Sequence, residues 1–131
     1  MSSGPALVSI LRQGDILVAS VHTALDDAEM VRFQHDLVEQ IGRYRARGVI
    51  IDVAALDVID SFAANTLRSI GDIARLRGAH TVIVGIQPDV AFAMVSLGMD
   101  LNEVVTALDL EEGLAHLARR RGGSTGGPST G

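Results

Sequence analysis

Two short runs of β-branched residues with almost no charge constrain this chain more than anything else in it. Val49-Ile50-Ile51-Asp52-Val53 is uncharged until Asp52, and Thr81-Val82-Ile83-Val84 is uncharged throughout. A strand with one wet face alternates apolar and polar residues, whereas a strand covered on both faces has no such need. Both runs lie between segments of helical periodicity. Strands alternating with helices imply a largely parallel sheet, with its sites expected in the loops at the carboxyl ends of the strands.

The remaining elements follow from local signals. Ala6 to Leu11 and Ile16 to Val21 are β-rich runs around Arg12-Gln13-Gly14-Asp15, which reads as a hairpin turn. Asp26 opens a helix, with Glu29 placed to complete a capping box. Met30, Phe33, Leu37, Ile41 and Tyr44 recur at helical spacing as its buried stripe, Arg43, Arg45 and Arg47 suit the dipole at its end, and Gly48 is expected to stop it. A second helix is expected from Ser61 to Arg77, with Ala63, Leu67, Ile70 and Ala74 inward and Gly78 as the stop. After Thr81–Val84, Gly85 ends the strand and Pro88 begins a third helix. Ala91, Met94 and Val95 face inward there, and Gly98 closes it. Val104-Val105-Thr106 is a short last strand. Asp109 to Glu112 starts a fourth helix lined by Leu110, Leu114 and Leu117 and ending in Arg119-Arg120-Arg121. Residues 122–131 contain only Gly, Ser, Thr and Pro and are expected to be a disordered tail. The order is ββαβαβαβα: a single α/β domain over 6–121 with a mixed, mostly parallel sheet.

Composition narrows the function. The chain of 131 residues is 47% hydrophobic, but Phe33, Phe62, Phe92 and Tyr44 are its only aromatics, so the core must be aliphatic. A net charge of -5 argues against nucleic-acid binding, which needs a basic surface. With no cysteine there are no disulfides, thiolate nucleophiles or cysteine metal sites. All eleven basic residues are Arg, so neither a Walker-type lysine nor a Schiff base can be housed. No apolar run has the length to cross a bilayer, and Met1 to Pro5 lacks the character of a signal peptide, so a cytoplasmic location is expected.

Ala54-Ala55-Leu56-Asp57-Val58-Ile59-Asp60-Ser61-Phe62 links a buried strand to a helix. It gathers two carboxylates and a hydroxyl at a helix start. Ser61 has three readings. As a helix cap it contributes about 1 kcal/mol over Ala. As a phosphate acceptor it would place a charge of about -1.5 to -2 beside Asp57 and Asp60, repelling a docked partner. Free backbone N–H groups would receive the phosphate, so the helix survives. Capping and phosphorylation are compatible. As a catalytic nucleophile Ser61 is poorly supported: there is no Gly-x-Ser-x-Gly elbow, and His22, His35, His80 and His116 are all remote in sequence. No metal site is expected, and His35 with Asp36 or Glu39 reads as a solvated helix face. Asp52 is expected to hydrogen-bond the loop that follows it. Gly85-Ile86-Gln87-Pro88 is a strand exit that also forms a rim beside Ser61. Phe62 is either core or an apolar contact for a partner.

Asp60-Ser61-Phe62 followed by an Ala-rich helix resembles the phosphorylation site of STAS domains, the fold of anti-sigma-factor antagonists. Leu25-Asp26-Asp27, Gly48-Val49-Ile50-Ile51-Asp52, Gly85-Ile86-Gln87-Pro88, Leu97-Gly98 and Thr106-Ala107-Leu108-Asp109-Leu110-Glu111 extend the resemblance from Val8 to Arg121, toward STAS proteins of the stressosome. The resemblance implies a protein that is not an enzyme and needs no cofactor. It would assemble with itself or with larger STAS paralogues carrying sensor domains. It would hold a serine/threonine switch kinase until Ser61 is phosphorylated, and a phosphatase would reset it. Asp57, Asp60, Phe62 and Gln87 would form the partner surface near Ser61. Thr66 and Ser69 match no acceptor position. Three alternatives remain: a free anti-sigma-factor antagonist binding an anti-sigma kinase, a small hydrolase using Ser61, and a STAS subunit attached to a membrane transporter through a partner chain.

Overall fold

The computed structural model of the chain describes residues 7–99 and 105–125. Five strands form one sheet: β1 (Val8–Gln13), β2 (Ile16–Val21), β3 (Gly48–Asp52), β4 (His80–Val84) and β5 (Val105–Ala107), in the spatial order β1-β2-β3-β4-β5. β1 pairs antiparallel with β2 through the Gly14-Asp15 turn, and every later pairing is parallel. The parallel steps cross over through α1 (Asp27–Tyr44), α2 (Ser61–Leu76) and α3 (Pro88–Ser96), and α4 (Leu110–Thr125) follows β5.

The uncharged strands are explained by the two faces of the sheet. Leu17, Ala19, Val21, Val49, Ile51, Val53 and Ile83 point to one side, into a cluster with Phe33 and Leu37 of α1, Leu67 and Ile70 of α2, and Val90 and Met94 of α3. Val18, Ile50, Val82 and Val84 point the other way, against Leu117 of α4. The alternation has the strand period of two, but both sets are apolar because each meets helices. A strand order that advances steadily, with crossovers of one hand, puts α1, α2 and α3 on the same face and leaves the other to α4. Full burial of an aliphatic side chain such as Leu37 or Ile51 contributes about 1.5–3 kcal/mol.

Some local expectations hold and others change. The capping box at Asp26 forms: its carboxylate accepts from Glu29 N at 2.7 Å, and Glu29 Oε1 accepts from Asp26 N at 2.8 Å. Tyr44 is not part of the buried stripe. It lies at the last residue of α1, 37% exposed, with the Arg12 guanidinium 4.5 Å from its ring centroid. An amphipathic ring with a polar end is stable there, half wet and under a cation. Gly48 does not end α1; Arg45 does, in the left-handed conformation at φ 51. Gly48 opens β3, where a Cβ would sit 2.8 Å from Leu117 Cδ1, so its smallness serves the approach of α4 to the sheet. Val95 is exposed and Val90 takes the inward position, because a helix begun at Pro88 turns its 90/94 edge to the sheet. β1 runs to Gln13 and β4 begins at His80. β5 covers Val105–Ala107, and Val104 lies outside the described residues. α4 continues through residues 122–125, which the sequence assigned to the tail. Extending a helix already formed is far easier than starting one, so a Gly-containing turn can be carried along.

Candidate functional site

The segment from β3 to α2 leaves the sheet at its carboxyl edge. Asp52, the last residue of β3, accepts from Ala54 N at 2.9 Å through Oδ1 and fixes the first bend, as the loop role requires. Leu56 is buried as the anchor of the loop, and Ile59 packs against the main core. Behind the loop lies a small cleft of about 170 Å³, with Leu25, Met30, Leu56 and Ala63 among its apolar walls.

The cap of α2 is Asp60, not Ser61. Asp60 has extended backbone (φ -101, ψ 176), and its Oδ1 accepts from Ala63 N at 2.8 Å. Asp and Ser are equally good caps, so the identity of the two residues did not settle which of them takes the position. The backbone register does: Ser61 is the first helical residue, exposed, and its hydroxyl has no partner among the described residues. Ser61 is thus relieved of the structural task that sequence reasoning gave it first.

The adjoining hydroxyl groups differ. Thr66 is only 7% exposed and its Oγ1 donates to Phe62 O at 2.8 Å, while Ser69 is half-buried. The Thr66 hydroxyl is engaged, and Ser69 is less exposed than Ser61. Asp57 is exposed on the loop, Phe62 is half out of the core at 37% exposure, and Val58 is exposed beside them. Two carboxylates and two apolar side chains therefore flank one open hydroxyl.

The β4–α3 loop closes on this segment. Gln87 occupies the N-cap position of α3, but its side chain makes no cap. Its Nε2 donates instead to Ala54 O at 2.8 Å. Gly85 adopts φ 76, and a Cβ there would lie 2.8 Å from Ala54 Cβ and 3.2 Å from Ala54 N. The rim expected from Gly85-Ile86-Gln87-Pro88 is thus tied to the β3–α2 loop at Ala54. The strand order placed the two loops on one edge of the sheet, but the bond itself joins residues 33 apart and left no local signal.

None of the four histidines hydrogen-bonds Ser61 among the described residues. His22 Nε2 is 3.1 Å from Ser9 Oγ, His35 is beside Asp36, and His80 accepts from Arg120. His116 belongs to α4. His35, Asp36 and Glu39 bring potential ligand atoms within 4.8 Å of one another, all on exposed α1 surface. No helix among the described residues is long and apolar enough to cross a membrane.

A mixed five-stranded sheet with three crossover helices on one face is the architecture of the STAS domain. The STAS domain family model matches residues 8–113, and the chain belongs to that family. Within it, the chain is similar to RsbS of Moorella thermoacetica, solved as a variant with one serine changed to glutamate. It is 34% identical to that protein, covers 88% of this chain and 98% of that one, and superposes with a TM-score of 0.81. A chain from the molecular architecture of the stressosome, described as a signal integration and transduction hub, is 32% identical, with coverage of 86% and 98% and a TM-score of 0.74. The RsbT co-antagonist protein RsbRA of Bacillus subtilis is 29% identical over 76% of this chain. The chain spans only about a third of the length of that relative, 36%.

Proposed function

We propose that this protein is a cytoplasmic, non-catalytic subunit of a stressosome, and that it binds an RsbT-like serine/threonine kinase until Ser61 is phosphorylated. Its partners in the assembly are RsbR-like STAS paralogues with sensor domains, and a phosphatase resets the serine. The observation that carries this reading is the division of labour at the start of α2: Asp60 holds the cap, and Ser61 stands exposed with a free hydroxyl. Support also comes from its likeness to RsbS along nearly the whole length of that protein, and from relatives named as co-antagonists of RsbT.

The switch is electrostatic. The first N–H groups of α2 have no helical acceptor and suit an anion, so phosphorylation leaves the helix in place. The added charge of about -1.5 to -2 joins Asp57 and Asp60 on a patch whose apolar members, Val58 and Phe62, would have to be desolvated in a complex. A kinase that docks on the neutral hydroxyl then meets like charge and is released.

The test compares the wild type with Ser61→Ala. Incubation with the cognate kinase, ATP and magnesium labels the wild type alone. The phosphorylated protein keeps its circular dichroism spectrum but loses the kinase, whereas Ser61→Ala retains it. Equal labelling of the variant refutes the assignment of Ser61. Unchanged kinase affinity after full phosphorylation refutes the switch.

A further inference from the structure

We propose that the cavity between α2, the start of β4 and α4 is a binding site for a small organic phosphate. It lies at the opposite end of the strands from Ser61 and does not depend on the role of that residue. Its floor is the start of β4. Among the described residues, β5 pairs with β4 at Val82, Ile83 and Val84, beyond His80 and Thr81. Alternation points Thr81 toward α2 and His80 toward α4, and the cavity wraps around this end of β4 with a volume of about 510 Å³.

The walls have the two parts such a ligand needs. Leu67, Ala79, Ile83 and Val105 supply apolar surface. Around them stand the guanidiniums of Arg68, Arg75 and Arg120 and the imidazoles of His80 and His116, against one carboxylate among the described residues, Asp72. In a chain of net charge -5 this is a local reversal of sign. Arg75 is engaged by Asp72 at 2.9 Å. Arg68 only reaches Asn65 Oδ1 at 3.4 Å, and Arg120 only His80 Nδ1 at 3.4 Å; neither has a carboxylate partner among the described residues. The carboxyl end of α2 brings partial negative charge nearby, which Arg75 offsets.

Two further observations agree. Burial first, then the charges of Arg120 and His116, hold the His80 pKa below the ordinary imidazole value, so only part of the shift reflects the positive charge around the ring. Thr81 Oγ1, beside the same wall, is buried with no hydrogen-bond partner, which is uncommon for a buried hydroxyl. A planar guanidinium fork suits phosphate oxygens, and a cavity much larger than an inorganic ion calls for an organic group on the apolar wall.

The experiment is an NMR titration of the full chain at constant ionic strength with phenyl phosphate, inorganic phosphate and benzoate. Phenyl phosphate is expected to shift the His80, Thr81 and Val105 amides saturably. It should bind about tenfold more tightly than either inorganic phosphate, which lacks the ring, or benzoate, which lacks the dianion. Binding should raise the titration midpoint of His80. The double variant Arg68→Gln/Arg120→Gln should weaken phenyl phosphate at least about tenfold, while Arg32→Gln/Arg43→Gln, which removes the same charge from α1, should not. Amide spectra confirm that each variant is folded. Non-saturating shifts at tens of millimolar, equal loss in both double variants, or equal affinity for all three probes each overturn the proposal.

Discussion

Replacing Asp60 by Ala should destabilise the protein, and replacing Ser61 by Ala should not. Asp60 Oδ1 accepts from Ala63 N at 2.8 Å, and no other acceptor for that N–H is in place. Loss of such a cap costs about 0.5–2 kcal/mol, typically about 1. Asp60 also carries negative charge at the positive end of α2, which adds about 0.3–1 kcal/mol. The first turn of α2 has no other acidic residue to take over. The combined loss is about 1–2 kcal/mol, or about 4–7 °C in Tm for a domain of this size. Ser61→Ala removes a hydroxyl without a partner and substitutes a better helix former, so its change stays within about 0.5 kcal/mol of zero. Asp60→Asn keeps the cap and removes the charge, and should lose only the smaller electrostatic part. Urea unfolding of the four proteins at pH 7, with m-values compared to secure the two-state analysis, measures all of this. If Ser61→Ala loses as much as Asp60→Ala, the serine is the cap after all. Its hydroxyl would then be occupied and not free for modification.

Gly85→Ala should cost about 2–4 kcal/mol, from positive φ and from the clash with Ala54, whereas Gly48→Ala should cost about 1 because the flexible end of Leu117 can give; thermal unfolding of both ranks them. Gln87→Ala removes the donor to Ala54 O and should cost about 0.5–1.5 kcal/mol, with amide exchange quickened around Ala54; unchanged exchange would show that the two loops are not coupled. The imidazole of His80 should titrate below its ordinary value by NMR, and Arg120→Gln should move it only part of the way back, since burial is the first cause and Arg120 the second. Because the folded state binds this proton less readily than the unfolded chain, His80 lowers stability as pH falls from the ordinary imidazole pKa to its own depressed one. Below that the loss is constant. The imidazole is largely solvent-exposed, so the effect on stability is small.

Local and periodic features were legible without a structure. The uncharged runs at Val49 and Thr81 announced strands covered on both faces, and the Asp26–Glu29 spacing announced a capping box. These signals depend on neighbours a few residues apart, where the backbone period alone decides which side chains meet. The segment around Ser61 was legible in the same way, as a helix start rich in oxygen atoms.

Tertiary structure decided everything that rests on a one-residue register or on distant contacts. Asp60 and Ser61 are equally able caps, and only the path of the β3–α2 loop, fixed by Asp52 and by buried Leu56, sets which of them precedes the helix. Gly48 reads as a helix stop until Leu117, brought back by α4, is seen above it. Tyr44 and Val95 fit a helical stripe on paper, but the sheet reaches neither. The bond from Gln87 to Ala54 and the cavity shared by Arg68, His80 and Arg120 join residues from different crossovers. A sequence pattern records the period of one element, whereas such meetings depend on how the elements stack, and that was settled only when both faces of the sheet were covered.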